Sequence, residues 1–208
     1  MVYINEHIES LDLAAALQSI SPQRRQQALR YKHEQGQRQC VAAYLLLKQA
    51  LKEQEGISDN PVFEYGEHGK PFIVGHPELY FSLSHCKEAT ACVLSRRPVG
   101  IDVESVGRYR ESVARYAMSD AEMLQIHQAE HPEVMFTRLW TMKESLLKLT
   151  GEGINDQMKT VLDNVPASWF KTTEHIRSSL SATPDLAGRL AKQEILNPSK
   201  YILTVCEQ

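Results

Sequence analysis

From Met135 to Leu149, apolar residues recur at about 100° per residue, so that Met135, Leu139, Met142, Leu146 and Leu149 form one narrow stripe. Glu144 and Lys148 fall on the opposite side, one turn apart. Phe136, Trp140 and Leu147 make a second apolar flank, which predicts a helix wedged between layers with Glu144 partly out of water. This helix is expected to start near Pro132 and to stop at Gly151, a usual C-cap residue. A mostly apolar run from about Glu34 to Gln54, with Val41, Tyr44, Leu45, Leu47 and Leu51, predicts a core helix. Ser21 followed by Pro22 reads as an N-cap with proline at the first helical position. Ser119-Asp120-Ala121-Glu122 reads as a capping box opening a helix to about Ala129. Strand patterns lie near 62–65, 71–74, 79–84, 89–94 and 99–104, with shorter strand-like runs at 169–172 and 201–206. The stretch 177–191, rich in Ser, Ala and Arg, is ambiguous between loop and helix.

Alternation within Pro98-Val99-Gly100-Ile101-Asp102-Val103-Glu104 sends Ile101 and Val103 to one face and Asp102 and Glu104 to the other. Two carboxylates two residues apart on a strand form a half-site for a hard cation such as magnesium, which takes a few carboxylates, waters and phosphate oxygens. Glu144 can supply a third. The plainer readings are an acidic strand end and a solvated Glu/Lys pair worth about 0.3 kcal/mol; the coincidence of the two segments favours a site. Ser84 and His85 close another strand, where site residues often collect. Adjacent strand residues point to opposite faces, and no Gly-x-Ser-x-Gly elbow is present, so a hydrolase dyad is not indicated. His85 is better read as a phosphate donor or an orienting group. Lys70, in the turn Gly69-Lys70-Pro71, can bring positive charge to an anionic ligand, although no P-loop or dinucleotide loop occurs anywhere.

Charge and composition narrow the partners. The 208 residues suffice for one large domain or two small lobes, and the net charge of −3 gives no broad basic surface for a nucleic acid. Positive residues cluster between Arg24 and Arg38, which suits a small anionic ligand. Cys40, Cys86, Cys92 and Cys206 lack zinc or Cys-x-x-Cys spacing and read as buried thiols in a reducing cytosol. The N-terminal residues lack a leader pattern and no apolar run approaches about 20 residues, so a cytoplasmic protein without a membrane span is expected. His127 and His131, four apart, make a weak metal pair, because Pro132 begins the next helix.

Taken in order, Gly69-Lys70-Pro71, Phe81-Ser82-Leu83-Ser84-His85, Val99 to Glu104 and Trp140-Thr141-Met142-Lys143-Glu144-Ser145-Leu146-Leu147-Lys148 resemble the 4′-phosphopantetheinyl transferase superfamily, in its two-lobed, Sfp-like branch. The resemblance runs from about Ser21 to Gly153. It implies an α/β (α+β) fold of two similar lobes related by a pseudo-twofold axis, each a small antiparallel-rich sheet packed on a long helix. The lobes would be 1–104 and 105–208, with the active site between them. It implies transfer of the phosphopantetheine arm of coenzyme A to a serine of an apo acyl or peptidyl carrier protein, with Mg2+, releasing 3′,5′-ADP, by a monomer. Asp102, Glu104 and Glu144 would hold the metal, with Glu144 also the base for the carrier serine. Lys148 would offset charge on the departing phosphate. His85, Lys70, Ser84, Arg24 and Arg38 would contact or neighbour coenzyme A, although one basic position of the family is Gln27 here.

Two other classes stay open on the residues alone. A metal-dependent phosphodiesterase also uses clustered carboxylates and a lysine, but commonly places an acidic-x-Lys pair on a strand, which Glu104-Ser105-Val106 does not supply. A noncatalytic coenzyme A or carrier-binding module of the same fold has no need for Asp102, Glu104, Glu144 and Lys148 together.

Overall fold

The structure, a computed structural model, describes residues 1–107, 109–153, 157–173 and 200–207. The chain runs β1 (Val2–Asn5), α1 (Leu13–Ser19), α2 (Pro22–Ala28), α3 (Glu34–Glu55), β2 (Phe63–Tyr65), β3 (Pro71–Ile73), β4 (Tyr80–His85), β5 (Thr90–Ser95) and β6 (Val99–Ser105). It continues through α4 (Glu111–Ala117), α5 (Asp120–Gln128), α6 (Pro132–Thr150), β7 (Phe170–Thr172) and β8 (Tyr201–Glu207). The segment 177–191 lies outside the described residues.

Local chemistry sets the helix ends as expected. Ser21 caps α2 through Arg24 N with Pro22 at its start, and Ser119 and Glu122 form a reciprocal capping box on α5. Gly151, at φ 85, closes α6 in the left-handed conformation that a side chain disfavours. The four-residue β1 and the short α4 carry no pattern long enough to be read from sequence. They form because β1 pairs with β5 from Val2↔Val93 to Asn5↔Thr90, and because Ala114 and Ala117 of α4 pack into a cluster with Ile126 and Phe136.

Two antiparallel three-stranded sheets share one plan. The first has the order β1-β5-β4 and the second β6-β8-β7, so each places its last strand in the middle. A long helix follows the first strand of each. Val41, Tyr44, Leu47 and Leu51 of α3 pack against Phe81, Cys92 and Leu94, while α6 lies on β6 and β8. Ile101 and Val103 pack with Ala91, Val93, Leu203 and Val205, so one apolar cluster joins the two sheets. The opposite face of β6, with Asp102 and Glu104, is thereby left to α6.

All of β6, from Val99↔Glu207 to Ser105↔Tyr201, pairs with β8. The expected division between residues 104 and 105 therefore falls inside a strand. The chain crosses from the first sheet to the second in the turn at 96–98, where Glu207 accepts from Ser95 Oγ at 2.8 Å and meets Arg97 at 3.1 Å.

Candidate active site

Gly100 lets β6 and α6 approach until backbone touches backbone. A Cβ on Gly100 would lie 1.9 Å from the Ser145 carbonyl oxygen and 2.6 Å from Leu149 N. Thr141 Oγ1 and Thr204 Oγ1, 2.8 Å apart, fasten the same helix to β8. This approach carries Lys148 over β6. Its Nζ donates to Asp102 Oδ1 at 2.6 Å and to Ser84 Oγ at 2.9 Å. Ser84, from β4, donates to the same Asp102 oxygen at 2.8 Å and accepts from Val103 N at 3.2 Å. Asp102 is only 3% exposed, and its Oδ2 is buried without a partner among the described residues.

Glu144 stands one turn before Lys148. Burial raises its pKa, the Asp102 carboxylate raises it further, and the Lys148 ammonium opposes both. Glu144, Lys148, His85, Arg24 and Lys70 line one cavity of about 410 Å3. Glu104 opens on a second cavity of about 510 Å3 walled by Arg110, Val113, Phe136 and Trp140. Among the described residues no three side chains of His, Cys, Asp or Glu come together as a metal-ligand set. The Lys148 ammonium instead sits on Asp102. The donors still suit a hard divalent cation: a buried aspartate oxygen in need of a partner, a second carboxylate on the same strand face, and a third on the facing helix.

Of the other predicted residues, Arg24, His85 and Lys70 line the cavity, whereas Ser84 and Arg38 do not. Arg24 lines the cavity, with its guanidinium held by the Cys40 carbonyl at 2.7 and 3.2 Å and by Gln27 Oε1 at 3.0 Å. His85 has its pKa lowered by burial first, then by Lys148 and Arg24. Lys70 lines the cavity too, but its Nζ donates to the Leu149 carbonyl at 2.6 Å, in the last turn of α6 where carbonyls lack helical partners. Burial lowers its pKa. Ser84 is buried and bridges Asp102 and Lys148. Arg38 is directed elsewhere: it donates to Glu34 and to the Leu11 and Glu9 carbonyls and does not line the cavity. Its i, i+4 neighbour Glu34 draws it along the helix.

Sequence reasoning missed Lys143. Its ammonium is fully buried, donating to the Met158 carbonyl at 2.6 Å and pairing with Glu122 Oε2 at 2.8 Å. The same Glu122 oxygen accepts from Ser119 N at 2.7 Å. One carboxylate therefore caps α5 and anchors the residue beside Glu144. A lysine in a charged run carries no sign of such burial, whereas Gly100 did carry one, since glycine inside a strand often marks a close approach. His127 and His131 stay apart in role, facing Glu111 at 3.3 Å and Glu133 at 3.6 Å. All four cysteines are free and buried.

Comparison with known proteins gives the same direction. The family model described as the 4′-phosphopantetheinyl transferase superfamily matches residues 98–206, just over half of the chain. A 4′-phosphopantetheinyl transferase of Bacillus subtilis is 27% identical over 158 residues, covering 74% of this chain and 70% of the relative. The 4′-phosphopantetheinyl transferase Sfp of Bacillus subtilis (strain 168) is 25% identical over 157 residues, with the same coverage. The 4′-phosphopantetheinyl transferase AcpT of Salmonella typhi is 35% identical over 135 residues, 62% of this chain and 66% of the relative. The matched span contains β6, α6 and the Asp102–Lys148 contact between them, and the chain belongs to the 4′-phosphopantetheinyl transferase superfamily.

Proposed function

We propose that this chain transfers the 4′-phosphopantetheine arm of coenzyme A to a serine hydroxyl of an apo acyl or peptidyl carrier protein, with Mg2+, releasing 3′,5′-ADP. The observation that carries this reading is the buried, half-partnered Asp102 carboxylate beside a cavity lined by Arg24, Lys70, His85 and Lys148. Such a set of donors suits a polyphosphate better than a neutral ligand. The two sheets would form two lobes, divided at 96–98, with coenzyme A between them.

Asp102, Glu104 and Glu144 would hold the Mg2+. When bound, the ion supplies charge stabilisation to the phosphate oxygens. The chain supplies the remainder. Glu144, whose pKa is raised by burial and by Asp102, accepts the carrier serine proton as attack proceeds. Lys148 offsets negative charge on the leaving phosphate as it develops. Arg24 and His85 grip phosphate oxygens farther into the cavity. Lys70 holds the end of α6 against the β2–β3 turn while lending its charge.

The described residues contain no helix long and apolar enough to cross a membrane, and the free buried thiols support a reducing, cytoplasmic setting. The function is tested with purified full-length chain, coenzyme A and a panel of apo carrier proteins from fatty-acid, polyketide and peptide synthesis. At least one carrier gains a phosphopantetheine group on serine. Tight coenzyme A binding with no modification of any carrier would instead support a noncatalytic binding module.

A further inference from the structure

Lys148 occupies the carboxylate that the proposed reaction requires for its metal. Its ammonium is 2.6 Å from Asp102 Oδ1 and 2.9 Å from Ser84 Oγ. A buried carboxylate without a counter-ion is costly, and among the described residues the second oxygen has no partner. The ammonium is thus what balances Asp102 when no metal is bound. Lysine suits such a post, being a compact charge on a flexible four-carbon stem. Its side chain is 31% exposed, against 4% for Asp102, so it has room to move while the aspartate does not. It also lines the cavity shared with Arg24 and His85, which gives it a second place to go. A divalent cation and an ammonium at contact distance from one carboxylate oxygen repel each other strongly.

The geometry points to a partner exchange. Lys148 is a resident counter-ion that holds Asp102 in the metal-free protein, yields it to an incoming divalent cation, and turns its ammonium toward the phosphates of the ligand in the Arg24–His85 cavity. This rests on the transferase reading and adds a separate claim, that competition with Lys148 sets the metal affinity of the free protein. Ser84 keeps Asp102 in place during the exchange, because its hydroxyl also engages Val103 N of the same strand. Metal and polyphosphate then bind cooperatively, since each favours the arrangement in which Lys148 has left Asp102.

Mn2+ titrated into the full-length chain without coenzyme A, followed by electron paramagnetic resonance of the free ion, tests the exchange. Lys148→Met and Lys148→Gln are expected to bind Mn2+ about tenfold or more tightly than the unaltered chain, since the contact charge is gone. Lys52→Met removes an exposed cation from α3, outside the cavity and away from Asp102, and is expected to change affinity by less than about threefold because solvent screens the distant charge. Mn2+ should also raise the melting temperature of Lys148→Met more than that of the unaltered chain. Equal Mn2+ affinity in the unaltered chain and both Lys148 variants overturns the exchange and leaves the metal site standing. An equal gain in Lys52→Met reduces the effect to a general field and likewise overturns it. Absence of Mn2+ binding in every protein overturns the exchange, and the metal-dependent reading is then decided by the carrier assay with coenzyme A present.

Discussion

Gly100→Ala tests whether the close approach of β6 to α6 is what builds the site. The added Cβ would stand 1.9 Å from the Ser145 carbonyl oxygen, whereas ordinary contact begins at 3.4 Å, so strand and helix must part by about 1.5 Å. Both clashing atoms, Ser145 O and Leu149 N, belong to helix backbone, which cannot rotate aside as a side chain would. Overpacking of this kind costs about 1–3 kcal/mol. In a chain of this length that lowers the melting temperature by roughly 2–12 °C. Gly100 is not among the positive-φ glycines, so alanine meets no backbone penalty there and the loss is steric. The same displacement lengthens the 2.6 Å contact between Lys148 and Asp102 and shifts Glu144 relative to β6. Misplacement by about 1 Å can cost on the order of a hundredfold in rate. Thermal melts, denaturant unfolding and carrier modification followed by intact mass together read both effects. A Gly100→Ala protein as stable and as active as the unaltered chain would refute the argument.

Three further outcomes follow from the site. Glu144→Gln should abolish carrier modification without lowering stability. The raised pKa of Glu144 means that its ionised form burdens the folded state: its contribution is best at low pH and is lost as pH rises from the unfolded value through the higher folded one. A large drop in melting temperature at neutral pH would mark Glu144 as structural. His85 has the opposite linkage, with a lowered pKa, so its contribution is complete above the ordinary value of 6.5 and is lost as pH falls through the folded value. Below pH 6.5, stability of the unaltered chain relative to His85→Asn should fall by up to about 1.4 kcal/mol per pH unit; parallel pH profiles would contradict this. Lys143→Met should destabilise by about 3–5 kcal/mol in denaturant titrations by stranding Glu122, and Glu122→Leu added to it should recover most of the loss. Additive losses in the double variant would show that the two side chains are not coupled.

Sequence pattern revealed the elements whose signal is local. The apolar runs of α3 and α6, the caps at Ser21 and Ser119, and the alternation that puts Asp102 and Glu104 on one face of β6 all appear in the structure. What sequence could not convey depends on partners far along the chain. Thr137, Thr141, Lys143 and Ser145 are buried although they are polar, and Met135 and Met142 of the predicted stripe are only half-buried. A periodicity argument assigns burial to apolar residues, but Gly100 brings the α6 backbone against β6, where small side chains fit and find hydrogen bonds. Arg24 and Arg38 look alike in sequence. Only the fold distinguishes the one held at the cavity by the Cys40 carbonyl from the one drawn away by Glu34 and Leu11. The place of Lys148 on Asp102 is of the same kind, since it links residues 46 positions apart.

The central claim is tested most directly by the intact mass of an apo carrier protein after incubation with this chain, coenzyme A and Mg2+, with the released nucleotide quantified in the same tube. The account predicts one phosphopantetheine group added per carrier serine, one equivalent of 3′,5′-ADP, and neither product when the divalent cation is chelated. Carriers of every class left at their starting mass, with coenzyme A intact, would contradict it.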